Sequence, residues 1–400
     1  MSKLLHFPDN FLWGTATAAY QIEGNNDNTD WWHWEKKPKK KNTKYPREQS
    51  GIACDSYNRF EEDLDLAKKL NNNAVRLSIE WARIEPSEGY FDQKEINHYR
   101  KVLQKAKERN LKTFVTLHHF TNPLWFSQKG GWVNPLSPTI FAKYVKKCAE
   151  EFADLVDTFL TINEPHVYIV YGFANGKWPP NLVNPILSVI VQNNFINAHI
   201  KAYNTIKQVN SEIKVGIPLQ MVWYEETKGP LRLLDKMLCK LLYFANTDFF
   251  MFHIKNHIDL IAMNYYFTIK LHSIWPVKAP DMFREPKSFL NYDGLEKILL
   301  KLKTYNKPIY ITESGMPDDK DEYRPQQIKS ILHACYRVIN KGVDLKGYFH
   351  WSLIDNFEWH HGFWPRFGLV EIDREDNLKR KPRKSFYYYA NICRNNALEL

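Results

Sequence analysis

The chain has 400 residues, a length that suits either one α/β barrel with inserted loops or two to three average domains, and its 44% hydrophobic and 25% charged residues are those of a folded globular protein. The formal net charge is +10, which favours nucleic acid or an acidic surface only if it is concentrated on one face. The single dense run, Lys36, Lys37, Lys39, Lys40 and Lys41 broken by Pro38, reads as a solvated loop. Met1 to Asn10 lack the basic start and apolar core of a secretory signal, and no run reaches the roughly 18 apolar residues of a membrane span. The expectation is a cytoplasmic protein with neither a membrane nor a nucleic-acid partner. Cys54, Cys148, Cys239, Cys335 and Cys393 are odd in number, scattered and without CxxC spacing, which argues against a disulfide framework and a structural zinc site.

In chain order, short apolar runs end in polar or aromatic residues, and each is followed by an amphipathic stretch of helical length. The strand candidates are Phe11 to Ala16, Ala74 to Ile79, Thr113 to Leu117, Thr158 to Ile162, Lys214 to Pro218, Leu260 to Asn264, Ile309 to Thr312 and Gly347 to Trp351. Between them run single apolar stripes such as Tyr57, Phe60, Leu64 and Ala67, then Ile96, Tyr99, Leu103 and Ala106, then Ile328, Ile331, Cys335 and Val338. One-faced helices alternating with strands apolar on both faces predict a parallel sheet covered by helices, and eight units favour closure. The fold class is therefore α/β, a (β/α)₈ TIM barrel forming a single catalytic domain over residues 1–400. From Met221 to Ile258 apolar residues crowd without a clean period, so element boundaries there are weakly defined.

In such a barrel the active site lies at the C-terminal ends of the strands. Two of the eight runs end in Glu: Thr161-Ile162-Asn163-Glu164-Pro165 closes the fourth, and Tyr310-Ile311-Thr312-Glu313-Ser314-Gly315 closes the seventh. A carboxylate at the end of a buried strand is costly to desolvate unless it is paired or used. A single one reads first as a strand-end group bonded to an Arg or a backbone amide. Two facing one mouth fit glycoside hydrolysis, in which one acid protonates the leaving oxygen and the other carboxylate attacks the anomeric carbon or activates water. That chemistry needs no metal and no cofactor.

These residues and their company resemble the family 1 glycoside hydrolases over nearly the whole chain. Phe11-Leu12-Trp13-Gly14-Thr15-Ala16-Thr17-Ala18-Ala19-Tyr20-Gln21-Ile22-Glu23-Gly24 is similar to the family's opening strand and loop, and the resemblance makes Gln21 a binder of sugar hydroxyls. It implies that Arg76, in Val75-Arg76-Leu77-Ser78-Ile79-Glu80-Trp81, sits beside the nucleophile and holds it ionised. It implies sugar-binding roles for His119 and Asn163, a general acid/base in Glu164, and a nucleophile in Glu313. Asn264-Tyr265-Tyr266 resembles the motif whose second Tyr bonds the nucleophile, here Tyr266. Trp351-Ser352-Leu353-Ile354-Asp355-Asn356-Phe357-Glu358-Trp359 resembles the final loop, with Trp351 as the sugar platform and Glu358 and Trp359 on outer hydroxyls. In Arg366-Phe367-Gly368-Leu369, Phe367 would line the same pocket.

The resemblance implies a retaining, exo-acting β-glycosidase on terminal β-D-glucosides, with β-galactosides and β-fucosides also in reach. Retention predicts a carboxyl separation of about 5 to 5.5 Å. The abundant aromatics gain a use, since sugar C–H faces pack on Trp and Tyr. Trp13, Trp31, Trp32, Trp34, Trp81 and Trp125 are assigned to the core rather than the site. The loops after the fifth and sixth strands are shorter than in most of the family, which predicts a wider mouth on the leaving-group side. Phe120 stands where many relatives carry Trp, and Ser314 where many carry Asn. Two alternatives are a 6-phospho-β-glycosidase, opposed by a carboxylate at Glu358 that would repel phosphate, and a catalytically silent sugar-binding protein, which would keep its affinity without either Glu. A metal reading of His118, His119, His350, His360 and His361 fails because neighbouring strand residues face opposite ways and no carboxylate completes a known spacing.

Overall fold

The computed structural model describes residues 3–37, 48–226, 231–271, 290 and 292–400. Eight strand positions form the barrel: β1 Leu12–Ala16, β2 Ala74–Ser78, β3 Lys112–His118, β4 Thr158–Ile162, β5 in two pieces, Lys214–Gly216 and Pro218–Gln220, β6 Ile261–Asn264, β7 Ile309–Ser314 and β8 Leu345–Trp351. All neighbouring pairs are parallel, and the break in β5 is where the barrel closes: its first piece pairs with β4 and its second with β6. The predicted strand Lys214 to Pro218 therefore needs correction. It splits at Ile217 and extends to Gln220, a change of partner that apolarity alone cannot signal. Phe11 and Ile79 fall just outside their strands, and β8 begins at Leu345 rather than Gly347.

The covering helices are α1 Ser56–Lys69, α2 Gln93–Glu108, α3 Ser137–Phe152, α4 Pro185–Val209, α5 Arg232–Tyr243, α6 Asp293–Leu302, α7 Arg324–Asn340 and α8 Lys384–Asn395. α2 shows why the sequence folds this way. The Asp92 side chain caps its first turn by accepting from the Lys94 and Glu95 amides, and Ile96, Tyr99, Leu103 and Ala106 form its buried stripe. α7 likewise buries Ile328, Ile331, Cys335 and Val338.

Inside the barrel a separate cluster includes Ala16, Ala74, Phe114, Leu160, Ala262 and Phe349, with Tyr266, Trp351 and Phe367 at its upper end. Phe114 and Phe349 meet at 4.8 Å between ring centroids and fill the lower interior. Gly14 makes room for this plug, because a Cβ there would lie 2.4 Å from the Phe349 ring. The barrel is thus packed below and open to chemistry only above, where the strand ends lie. Lys36 and Lys37 are exposed, with Lys36 4.7 Å over the Trp32 ring, while Lys39, Lys40 and Lys41 lie outside the described residues.

Candidate active site

The strand ends bring Glu164 and Glu313 to one place through two local irregularities. β7 shifts register against β6 between Ile311 and Glu313, so consecutive side chains both reach inward: the Thr312 hydroxyl donates to Asn264 Oδ1 at 2.8 Å, and Glu313 meets Arg76 and Tyr266. Glu164 follows β4 in a left-handed conformation, φ 43° and ψ 60°, and Pro165 starts a short helix directly after it. Its amide donates to the Pro218 carbonyl of β5 at 2.8 Å. A left-handed Glu costs of order 1 kcal/mol or more, the kind of strain found where a side chain must be aimed.

Arg76, wholly buried on β2, is the hub. One guanidinium nitrogen forms an ion pair with Glu313 Oε1, the other donates to Asn163 Oδ1 at 2.6 Å, and Nε donates to the Thr116 hydroxyl at 3.2 Å. The second Glu313 oxygen accepts from the Tyr266 hydroxyl at 2.6 Å. Among the described residues Glu164 has no ion-pair partner and accepts one hydrogen bond, from Asn264 Nδ2 at 2.8 Å. Burial, then the negative charge of Glu313, push the Glu164 carboxyl well above the carboxylate range, while Asn264 and Arg76 only partly oppose this. Tyr266 is pushed well above its ordinary value by burial and then by both carboxylates, so it stays a hydrogen-bond donor.

Around this pair stands the rest of the expected set. Asn163 Nδ2 lies 3.3 Å from His119 Nε2. Burial, then the Arg76 charge, keep the imidazole neutral, so Nε2 accepts from the amide and the proton sits on Nδ1, an atom without a partner among the described residues. The Gln21 amide nitrogen donates to Asn356 Oδ1 and the Phe357 carbonyl, both at 2.9 Å, and to Glu358 Oε2 at 3.3 Å. Its Oε1 is buried and has no partner among the described residues, so it can accept from a hydroxyl. Burial, then Glu313, push the Glu358 carboxyl up to about 8. The His119 ring lies within 11° and 12° of the planes of Trp351 and Trp359 at centroid distances of 6.0 and 6.1 Å, and Phe367 is buried in the cluster that holds Trp351. Every expected site residue therefore sits in this one region.

Some contributors were missed. Asn264 links Glu164 to the guanidinium that holds Glu313, donating to Glu164 while its Oδ1 accepts from Arg76 at 3.5 Å and from Thr312. It ends β6, so the same strand-end rule that finds the Glu residues also finds it. Trp178 packs on Trp359 at 5.6 Å and donates to His360 Nδ1 at 2.9 Å. It lies in a loop, where no strand end marks it. Trp31, assigned to the core, is fully buried yet backs the site by packing on Trp359 at 4.8 Å.

A barrel whose mouth holds two carboxyls in contrasting environments, walled by aromatic rings and hydroxyl-seeking amides, defines a glycoside-cleaving enzyme. The family model Glycosyl hydrolase family 1 matches residues 4–232 and 227–398. Beta-glucosidase A of Thermotoga maritima is 32% identical over 445 residues, covering 98% of this chain and 99% of that protein. A solved beta-glycosidase from Pyrococcus horikoshii superposes with a TM-score of 0.90 at 34% identity, covering 99% of this chain and 96% of that one. The Thermotoga maritima beta-glucosidase in complex with glucoimidazole gives 0.87 at 31% identity, covering 98% and 100%. The chain belongs to glycosyl hydrolase family 1. The two matched segments overlap at 227–232, directly after the strand Trp223–Glu226 that follows β5.

Proposed function

We propose that the protein hydrolyses terminal β-D-glucosides with retention, Glu313 acting as nucleophile and Glu164 as general acid and then base. The observation that carries this is the unequal treatment of the two carboxyls: Glu313 is held by Arg76 and Tyr266, whereas Glu164 has one amide donor and a raised proton affinity. In the first step a Glu313 oxygen bonds to the anomeric carbon as the glycosidic C–O bond breaks, and the Glu164 proton passes to the leaving oxygen. Esterification removes the charge on Glu313 that kept Glu164 protonated. Glu164 then takes a proton from water as that water attacks the anomeric carbon and frees Glu313.

Gln21, His119, Asn163, Glu358 and Trp359 read the hydroxyls, and Trp351 and Phe367 support the apolar ring face. The names of the Thermotoga relatives favour glucose as the sugar. The reading extends to carbohydrate breakdown in a reducing cytoplasm, supported by five cysteines that are all buried and unpaired. The test is nitrophenol release from a panel of aryl β-glycosides, run beside Glu164→Gln and Glu313→Gln. The expected result is fastest release from the glucoside, rescue of the Glu164 variant by azide and silence from the Glu313 variant. No release from any member by folded wild-type protein would refute it.

A further inference from the structure

The segment after β5 carries a feature that glycoside cleavage does not use. α5 runs through the π-turn Phe244–Asp248 into the helix Phe249–Ile254. Its inward stripe is Asp235, Cys239 and Tyr243, four residues apart. At about 100° per residue, Leu233, Met237 and Leu241 project from the opposite side. They are 80%, 68% and 63% exposed, and Leu234, Phe244 and Phe252 are exposed as well. A helix on a globular protein ordinarily does the reverse, apolar side in and polar side out.

Cations flank these apolar side chains. Arg232, Lys236, Lys240 and Lys255 are exposed, with Lys255 5.2 Å over the Phe252 ring. Among the described residues Glu226 offsets Arg232 at 3.3 Å, while Asp235 is buried and Asp248 is paired with Lys301 at 2.7 Å, which leaves Lys236, Lys240 and Lys255 as the exposed charges of this face. A second copy of the chain could cover the leucines, but it would set Lys236 and Lys240 against like charges. Apolar residues edged by cations, on a chain of net charge +10, instead complement a surface that is apolar within and anionic at its face.

We propose that this face docks on an anionic phospholipid surface, with Leu233, Met237 and Leu241 at the headgroup boundary and Lys236, Lys240 and Lys255 on the lipid phosphates. This replaces the expectation of no membrane partner. The face hangs from the rim of the barrel: Trp223–Glu226 follows β5, pairs with Thr268–Leu271 just beyond Tyr266, and carries α5 through the Trp223–Tyr243 contact at 5.6 Å. Docking therefore brings the mouth close to the lipid.

The test is flotation of the full chain with vesicles of phosphatidylserine and phosphatidylcholine in equal parts, against phosphatidylcholine alone. Binding to the anionic vesicles only, weakening with added salt, is expected. It should fall at least about tenfold in Lys236→Glu/Lys240→Glu and in Leu233→Ser/Met237→Ser, with circular dichroism and unfolding midpoint unchanged. No binding, equal binding to neutral vesicles, or undiminished binding by both variants would overturn the proposal. So would a dimer in sedimentation that Leu233→Ser/Met237→Ser abolishes, since that result assigns the face to a second copy.

Discussion

α2 and α5 occupy equivalent places in the βα repeat yet obey opposite rules. α2 buries Ile96, Tyr99, Leu103 and Ala106 and, Glu95 apart, keeps its charges off the buried face, whereas α5 buries Asp235, Cys239 and Tyr243 and turns Leu233, Met237 and Leu241 outward. The first is held by ordinary burial of apolar surface against the barrel. The second is tied down through a narrow stripe, which leaves its apolar face available to something other than the core.

The comparison predicts that substitutions beside the regularly built strands are severe and that those on the outer face of α5 are mild. The largest effect is expected at the end of β7, where Glu313→Gln should lower kcat by about 10⁵-fold, measured by nitrophenol release. At the end of β4, Glu164→Gln should lower kcat/KM about 10² to 10⁴-fold on glucosides with poor leaving groups and much less on activated aryl glucosides, whose departure needs no proton, while kcat on the latter still falls because the base for water is gone. Equal losses on both substrate kinds would break the assignment of Glu164 as acid.

Next in size, Leu103→Ala on α2 should destabilise the fold by about 3 kcal/mol in urea denaturation. A smaller change is expected at Glu358. Its carboxyl rises from the ordinary 4.5 to about 8 on folding, so between those values the folded chain holds a proton that the unfolded chain releases. That contribution is fully present below 4.5 and is lost as pH climbs toward 8. Glu358→Gln should therefore flatten the decline of stability across this window and raise stability near pH 8 by about 1 kcal/mol or more. Sugar binding should weaken in the same variant. The smallest effect is expected on the outer face of α5, where Leu233→Ala should shift stability by less than about 0.5 kcal/mol. A loss there as large as that of Leu103→Ala would erase the distinction between the two helices.

The same contrast explains what could be read from the residues alone. Thr158 to Ile162 matches β4 residue for residue, and the stripes of α2 and α7 emerge from spacing because their buried positions are apolar. Glu164 and Glu313 were legible because a carboxyl ending a buried run is out of place unless it is used. The Met221 to Ile258 stretch was not legible, since a buried Asp–Cys–Tyr stripe carries no apolar period. The division of β5 at Ile217 follows from barrel closure, a property of partners far away in sequence. Trp178 joins the site through packing on Trp359, and nothing local distinguishes it from a core tryptophan.

The central claim, that Glu313 attacks the anomeric carbon, is tested most directly by trapping. A β-glucoside with fluorine in place of the hydroxyl next to the anomeric carbon, and with an activated leaving group, slows breakdown of the covalent intermediate more than its formation. Mass spectrometry of digested enzyme should then find the sugar on the peptide containing Glu313. A label on Glu164 or Glu358, or turnover with inverted configuration and no label, would contradict the account.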